Sequence, residues 1–234
     1  WSTLLDAHAR PAVVGFDASG DVLIGGDRQL AADQPTALLA AKLGGADGSV
    51  RWRDLSAIGS STAFAVDAAG GILLAGSDGE PGDRPDVVVA RWNADGSLAW
   101  QRTVPPADGT AHQARNVTVA DDTVAVGGGI QIGDSRSGFF VLGLAAGDGA
   151  TRWTYRKDGD GDLVGAGFGG IAGLVPGGAA SLLVSATVGD EGSRNDVVLA
   201  RISTLDGHEQ WRVDVRETRS DIFDAASSIA LDPA

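Results

Sequence analysis

Val87-Val-Val-Ala-Arg91-Trp-Asn-Ala-Asp95-Gly-Ser-Leu-Ala-Trp100 is an apolar run closed by a basic residue, followed by Asp-Gly and then Trp. The same order returns in Ala37-Leu-Leu-Ala-Ala-Lys42 with Asp47-Gly and Trp52, and in Val197-Val-Leu-Ala-Arg201 with Asp206-Gly and Trp211. In a further copy, Phe139-Phe-Val-Leu-Gly143 leads to Asp148-Gly and Trp153, with Gly143 in the basic position. The spacing from Asp to Trp never changes, whereas Trp52, Trp100, Trp153 and Trp211 are 48, 53 and 58 residues apart. A fixed motif at a slightly elastic period of about 50 residues marks a repeat architecture with variable loops.

Each motif reads as a hairpin, because tight turns need positive φ, which Gly adopts cheaply and Asp tolerates. A second hairpin precedes it in every copy, turning at Asp17–Gly20, Asp67–Gly70, Asp121-Asp122 and Pro176-Gly-Gly178. Each unit is therefore four short strands, A to D. Such units at this period predict an all-β fold, a β-propeller of four-stranded antiparallel blades. The complete blades fall at about 8–56, 57–104, 111–157 and 166–216, with partial blades at 1–6 and 222–234. Trp1 begins what reads as the end of a strand D, and Ser227–Ala234 reads as a strand A. Two explanations compete: a segment of a longer propeller, or two ends that meet in one composite blade. The segment is favoured, since a composite would lack strands B and C.

Trp1, Trp52, Trp100, Trp153 and Trp211 are the expected repeat anchors, each burying a ring against the next blade for roughly 2–3 kcal/mol. The arginines beside them (Arg51, Arg53, Arg102, Arg152, Arg212) read as charges that protect an outer edge strand.

Composition narrows function mostly by exclusion. A net charge of −13 argues against nucleic-acid binding and docking on anionic lipid. No apolar run approaches the ~18 residues of a membrane span, so membrane insertion is not expected. The absence of Cys removes disulfides, thiolate metal sites and cysteine nucleophiles. No nucleophile elbow, His-Glu-x-x-His or phosphate-cradling loop occurs, so no catalytic residue is assigned and the chain reads as non-enzymatic.

The acids gather where strands B and C are joined and where one unit passes to the next. Asp83, Asp86, Asp190 and Asp196 are the candidate acidic face, either solvated loops or a surface for a cation or a basic protein partner. Asp158, Asp160 and Asp162, alternating with Gly159 and Gly161, are candidate oxygen ligands for calcium, the one cofactor the sequence offers. They fail as an EF-hand, because Leu163 stands where that loop needs Gly. His8 and His112 align just before strand A, at a channel mouth that could take a metal or small anion. Inward positions two blades apart are far for one ion.

The segments Asp86-Val-Val-Val-Ala-Arg91…Asp95-Gly…Trp100 and Asp196-Val-Val-Leu-Ala-Arg201…Trp211, with the turns Val66-Asp67-Ala-Ala-Gly70 and Ala230-Leu-Asp232-Pro-Ala234, resemble bacterial tandem β-propeller repeats of the SBBP type. The Trp motif is also similar to the PQQ-like repeats of quinoprotein dehydrogenases and of an outer-membrane assembly lipoprotein. The resemblance implies a secreted, periplasmic or cell-surface bacterial protein. The expected role is a scaffold or binding module; the alternatives are a segment of a quinone-dependent dehydrogenase and a structural spacer in a larger surface protein. Many of those enzymes use an adjacent-cysteine pair beside the cofactor, which this chain lacks.

Overall fold

A computed structural model of the chain describes residues 1–5, 9–29, 36–78, 85–105, 111–132, 136–162, 170–190, 194–215 and 225–231. His8 and Asp83 lie outside them, as do the side chains of Asp160, Asp162 and Asp190. The chain divides into two compact units, Trp1–Pro105 and Pro106–Ala234.

In the first unit, β1 (Ala9–Phe16), β2 (Val22–Gln29), β3 (Thr36–Leu43) and β4 (Val50–Asp54) form one antiparallel sheet in chain order. β5 (Ser60–Val66), β6 (Ile72–Ser77), β7 (Val87–Trp92) and β8 (Leu98–Val104) form the next. The second unit repeats the plan. β9 (Ala111–Ala120), β10 (Thr123–Ile132), β11 (Arg136–Ala145) and β12 (Thr151–Asp162) make one sheet, and β13 (Gly170–Pro176), β14 (Ser181–Asp190), β15 (Arg194–Ser203) and β16 (Glu209–Val215) the other. Short β-prone runs separated by turn residues favour such meanders, since every connection is local.

Each unit buries a core between its two sheets. Leu23, Leu38 and Ala40 meet Ile72, Leu74, Val88 and Trp92 in the first. In the second, Phe139, Val141 and Trp153 meet Ile171, Leu182, Val184 and Val198. One face of a strand turns to one neighbour and the other face to the opposite side, as the two-residue side-chain period requires.

A register shift recurs beside every motif Trp. Lys42 pairs with Trp52 but Leu43 with Val50, so Arg51 is an extra residue. Arg91 with Trp100 and Trp92 with Leu98 leave out Ala99; Gly143 with Trp153 and Leu144 with Thr151 leave out Arg152. Arg201 with Trp211 and Ile202 with Glu209 leave out Gln210. Residues two apart would otherwise share a face. The bulge turns Trp52 and Trp153 towards the next sheet of the same unit. The fixed spacing in the sequence is the length of turn plus bulge.

β12 runs on through Asp158–Asp162, a segment read from the sequence as an inter-blade loop. Asp158 pairs with Gly138 and Asp162 with Arg136. The glycines here permit close approach of backbones: a Cβ on Gly138 would stand 2.4 Å from the Lys157 carbonyl oxygen, and one on Gly159 2.4 Å from that of Gly189. Among the described residues, no helix is long and apolar enough to cross a membrane.

Candidate functional site

Acids near the A–B and C–D turns hold those turns together. Asp47 Oδ1 accepts hydrogen bonds from the Ser49 amide (3.0 Å) and hydroxyl (2.8 Å), and Asp95 does the same with Ser97. Asp148 accepts from the Ala150 amide and Asp206 from that of His208. These bonds favour the charged form, so the Asp47 carboxyl lies below the usual carboxylate range through the Ser49 amide and then its hydroxyl. In the C–D turns positive φ belongs to the glycines alone, +67° at Gly48, +89° at Gly96, +72° at Gly149 and +73° at Gly207, whereas Asp121 in the third A–B turn takes +54° itself. The Asp of each C–D turn therefore contributes its side-chain cap rather than a tolerance of positive φ.

The basic residue that closes strand C reaches across strand B to the A–B turn. Lys42 Nζ lies 2.7 Å from Asp17 Oδ2, and Arg91 Nη2 lies 2.7 Å from Asp67 Oδ2. Asp17 Oδ1 also caps the Ser19 and Asp21 amides, and Asp67 Oδ1 those of Ala69 and Gly71. Lys42, then the Ser19 hydroxyl, hold the Asp17 carboxyl well below its ordinary value against the opposing effect of burial. In the β9–β12 sheet Gly143 replaces the basic residue and Arg152 pairs with Asp122 instead. In the β13–β16 sheet Arg201 donates to Ser181 Oγ at 2.9 Å.

Trp52 and Trp153 dock on the motif of the following repeat. Trp52 donates its indole N–H to the Ala94 carbonyl at 3.0 Å, and Trp153 to that of Thr204 at 2.9 Å. A Cβ on Gly96 would stand 2.7 Å from the Trp52 ring, and one on Gly207 2.7 Å from that of Trp153. Trp1 treats β3–β4 in the same way, with its N–H 3.0 Å from the Gly45 carbonyl and its ring over Gly48. Trp100 is buried, whereas Trp211 is 43% exposed. The coupling of one repeat's Trp to the next repeat's Gly was not legible in the sequence. A further contact that it hid is Trp92, fully buried, donating to Asp54 Oδ2 at 2.6 Å.

The B–C end differs. In the second sheet the Asp86 amide donates to Asp78 Oδ1 at 3.1 Å, and the Asp78 amide to the Asp86 carbonyl at 3.3 Å. Burial, and then the neighbouring Asp78 charge, push the Asp86 carboxyl above its ordinary value. Asp196 occupies the register position of Asp86 in the fourth sheet but is only 4% exposed, so it does not belong to an exposed acidic face. In the strand register Asp190 stands opposite Arg194 at the end of β14.

The Asp158 carboxylate is engaged by the Arg156 guanidinium. Among the described residues no three His, Cys, Asp or Glu side chains gather in a way that could hold a metal ion. His112 is buried and stacked on Phe140, with ring centroids 4.9 Å apart, and His208 is exposed.

No protein-family description and no curated protein matches the sequence. Among solved structures, the chain is similar to the quinohemoprotein alcohol dehydrogenase ADHIIG from Pseudomonas putida HK5, with TM-score 0.55 and 12% identity over 88% of this chain. The match covers 35% of that chain. Drosophila Semaphorin 1b, extracellular domains 1-2, aligns with 86% of this chain and 55% of its own at TM-score 0.26 and 7% identity, too weakly to carry an argument. With the four meanders, the first likeness establishes an all-β fold of β-propeller type built of four-stranded antiparallel blades.

Proposed function

We propose that this chain is a non-enzymatic propeller scaffold of an exported bacterial protein, which binds a basic partner or a cation through the B–C loop end of its blades. The observation that carries this reading is the Asp78–Asp86 pair. At the opposite end of the sheets the described acids are absorbed by turn caps and by Lys42, Arg91 and Arg152. Burial, and then the Asp78 charge beside it, raise the affinity of Asp86 for a proton, and the like charge also attracts any other cation. A basic side chain bridging the two carboxylates would relieve that repulsion. Export rests on the resemblance to SBBP-type repeats.

Calorimetric titration with an oligolysine peptide at low salt tests this. Saturable binding by the native chain, lost in the Asp78→Asn/Asp86→Asn double variant, supports the reading. Equal heats from both proteins contradict it and leave the structural spacer. For the Asp158, Asp160 and Asp162 run, calcium is the proposed ion; a melting temperature unchanged between calcium and chelator would sink that part. The fold likeness to a quinohemoprotein alcohol dehydrogenase favours the second reading, a segment of a quinone-dependent dehydrogenase. Dye-linked turnover with PQQ and calcium would overturn the scaffold in its favour.

A further inference from the structure

The sheet β13–β16 presents an uncovered version of a face that is buried elsewhere. In β1–β4, the side turned towards β5–β8 is built from Leu23, Leu38 and Ala40, all fully buried, together with Trp52. Ala125, Phe139, Val141 and Trp153 take the same register positions in β9–β12 and pack against β13–β16. Counting from the basic residue that pairs with Trp, the equivalents in β13–β16 are Leu183, Val197, Leu199 and Trp211. The first three are only half-buried. Trp211, Val213 and Val215 on the outer strand are 43, 51 and 47% exposed.

One part of this face is already occupied. Residues 225–231 lie against β13 and β14: the Ala226 amide donates to Thr187 Oγ1 at 3.0 Å, and a Cβ on Gly173 would stand 2.6 Å from Ile229. Phe64 in β5 lies over Gly25, the register equivalent of Ser185, which pairs with Gly173, so the segment stands where the first strand of a following repeat stands. What remains open corresponds to the ground that β6, β7 and β8 cover on the first sheet.

We propose that this open face is a docking site for a three-stranded meander with an Asp-Gly turn. These are the B, C and D strands of a further repeat of this same kind, seating Trp211 on their glycine and continuing the sheet from 225–231. The chemistry of the occupant is read from the molecule itself. Trp1, Trp52 and Trp153 each meet a glycine in an Asp-Gly turn and donate to a carbonyl of that turn, and the seats at Gly48, Gly96 and Gly207 are thereby filled. Trp211 has the same register and the same preceding bulge. An exposed row of Trp and Val on an outer strand is otherwise an aggregation liability.

The test joins a second copy of residues 70–104 after Ala234 of the full chain, so that Gly70 completes the turn begun at Asp232 and the copy can follow 225–231 as β6–β8 follow β5. The added strands raise the melting temperature by more than ~4 °C and protect the Trp211 indole N–H from hydrogen exchange. Trp211→Ala in the extended chain removes that gain, and so does Gly96→Val placed only in the added copy, because both empty the same seat. The proposal is overturned by an extended chain that melts with the parent, or by a gain that survives Trp211→Ala.

Discussion

Gly207 does two things that alanine cannot. It takes φ of +73°, and it leaves room for the Trp153 ring, which a Cβ would meet at 2.7 Å. Gly178 in the same sheet has φ of +68° with nothing within 4 Å of the Cβ position. Gly178→Ala should therefore cost only the backbone strain, about 1–2 kcal/mol. Gly207→Ala should cost more, since the ring must leave its seat or the turn must move. Equal losses in urea unfolding would mean that the turn, not the docked ring, sets the requirement for glycine. Asp17 gives a second residue-scale prediction. Lys42 holds its carboxyl below the ordinary value, so its stabilising contribution is complete above the unfolded-state pKa of about 3.9 and is lost as pH falls towards the folded value. The difference in melting temperature between the native chain and Asp17→Asn should narrow between about pH 6 and pH 3. A difference constant over that window would show that the ion pair contributes nothing there.

At the scale of elements, the bulge before Trp52 and before Trp153 is what turns a hairpin into a connector between sheets. The hairpins were legible in the sequence because Asp-Gly between two apolar runs has few other solutions. The bulge was not, because its residues, Arg51, Ala99, Arg152 and Gln210, share no chemistry. Nor was the burial of Asp196, which reads like Asp86 in sequence but sits within a longer strand. The acidic run Asp158–Asp162 looked like a loop, yet its strict alternation of Asp and Gly also fits a strand with two different faces, and β12 takes that course. β12 and β16 are further tied by the Tyr155 hydroxyl, which donates to Glu209. Burial, and then Glu209, push the Tyr155 phenol above its ordinary value. A raised phenol contributes stability that is complete below the unfolded-state pKa of about 10 and lost as pH rises through the folded one. Tyr155 is the one tyrosine of the chain, so an alkaline absorbance titration reads it alone. The midpoint should lie above the usual phenol range and fall in Glu209→Gln. A midpoint near 10 in the folded protein would show that the pair is not formed.

For the molecule as a whole, the recurring motif is a coupling device within each unit: the turn of one repeat is the seat, and the preceding Trp is the plug, as at Gly48, Gly96 and Gly207. This accounts for the constant spacing within the motif and the elastic spacing between motifs, since only the former has to fit. It also separates construction from function. The acids that cap turns and meet Lys42 or Arg91 belong to the fold, while Asp78 and Asp86 at the B–C end are the ones on which the proposed partner binding rests. The coupling is tested most directly by hydrogen exchange at the indole N–H groups. The Trp153 indole, buried and bonded to the Thr204 carbonyl, should exchange slowly, and the Trp211 indole should exchange like that of a free side chain. Rapid exchange at Trp153, or protection of Trp211 equal to it, would contradict the account.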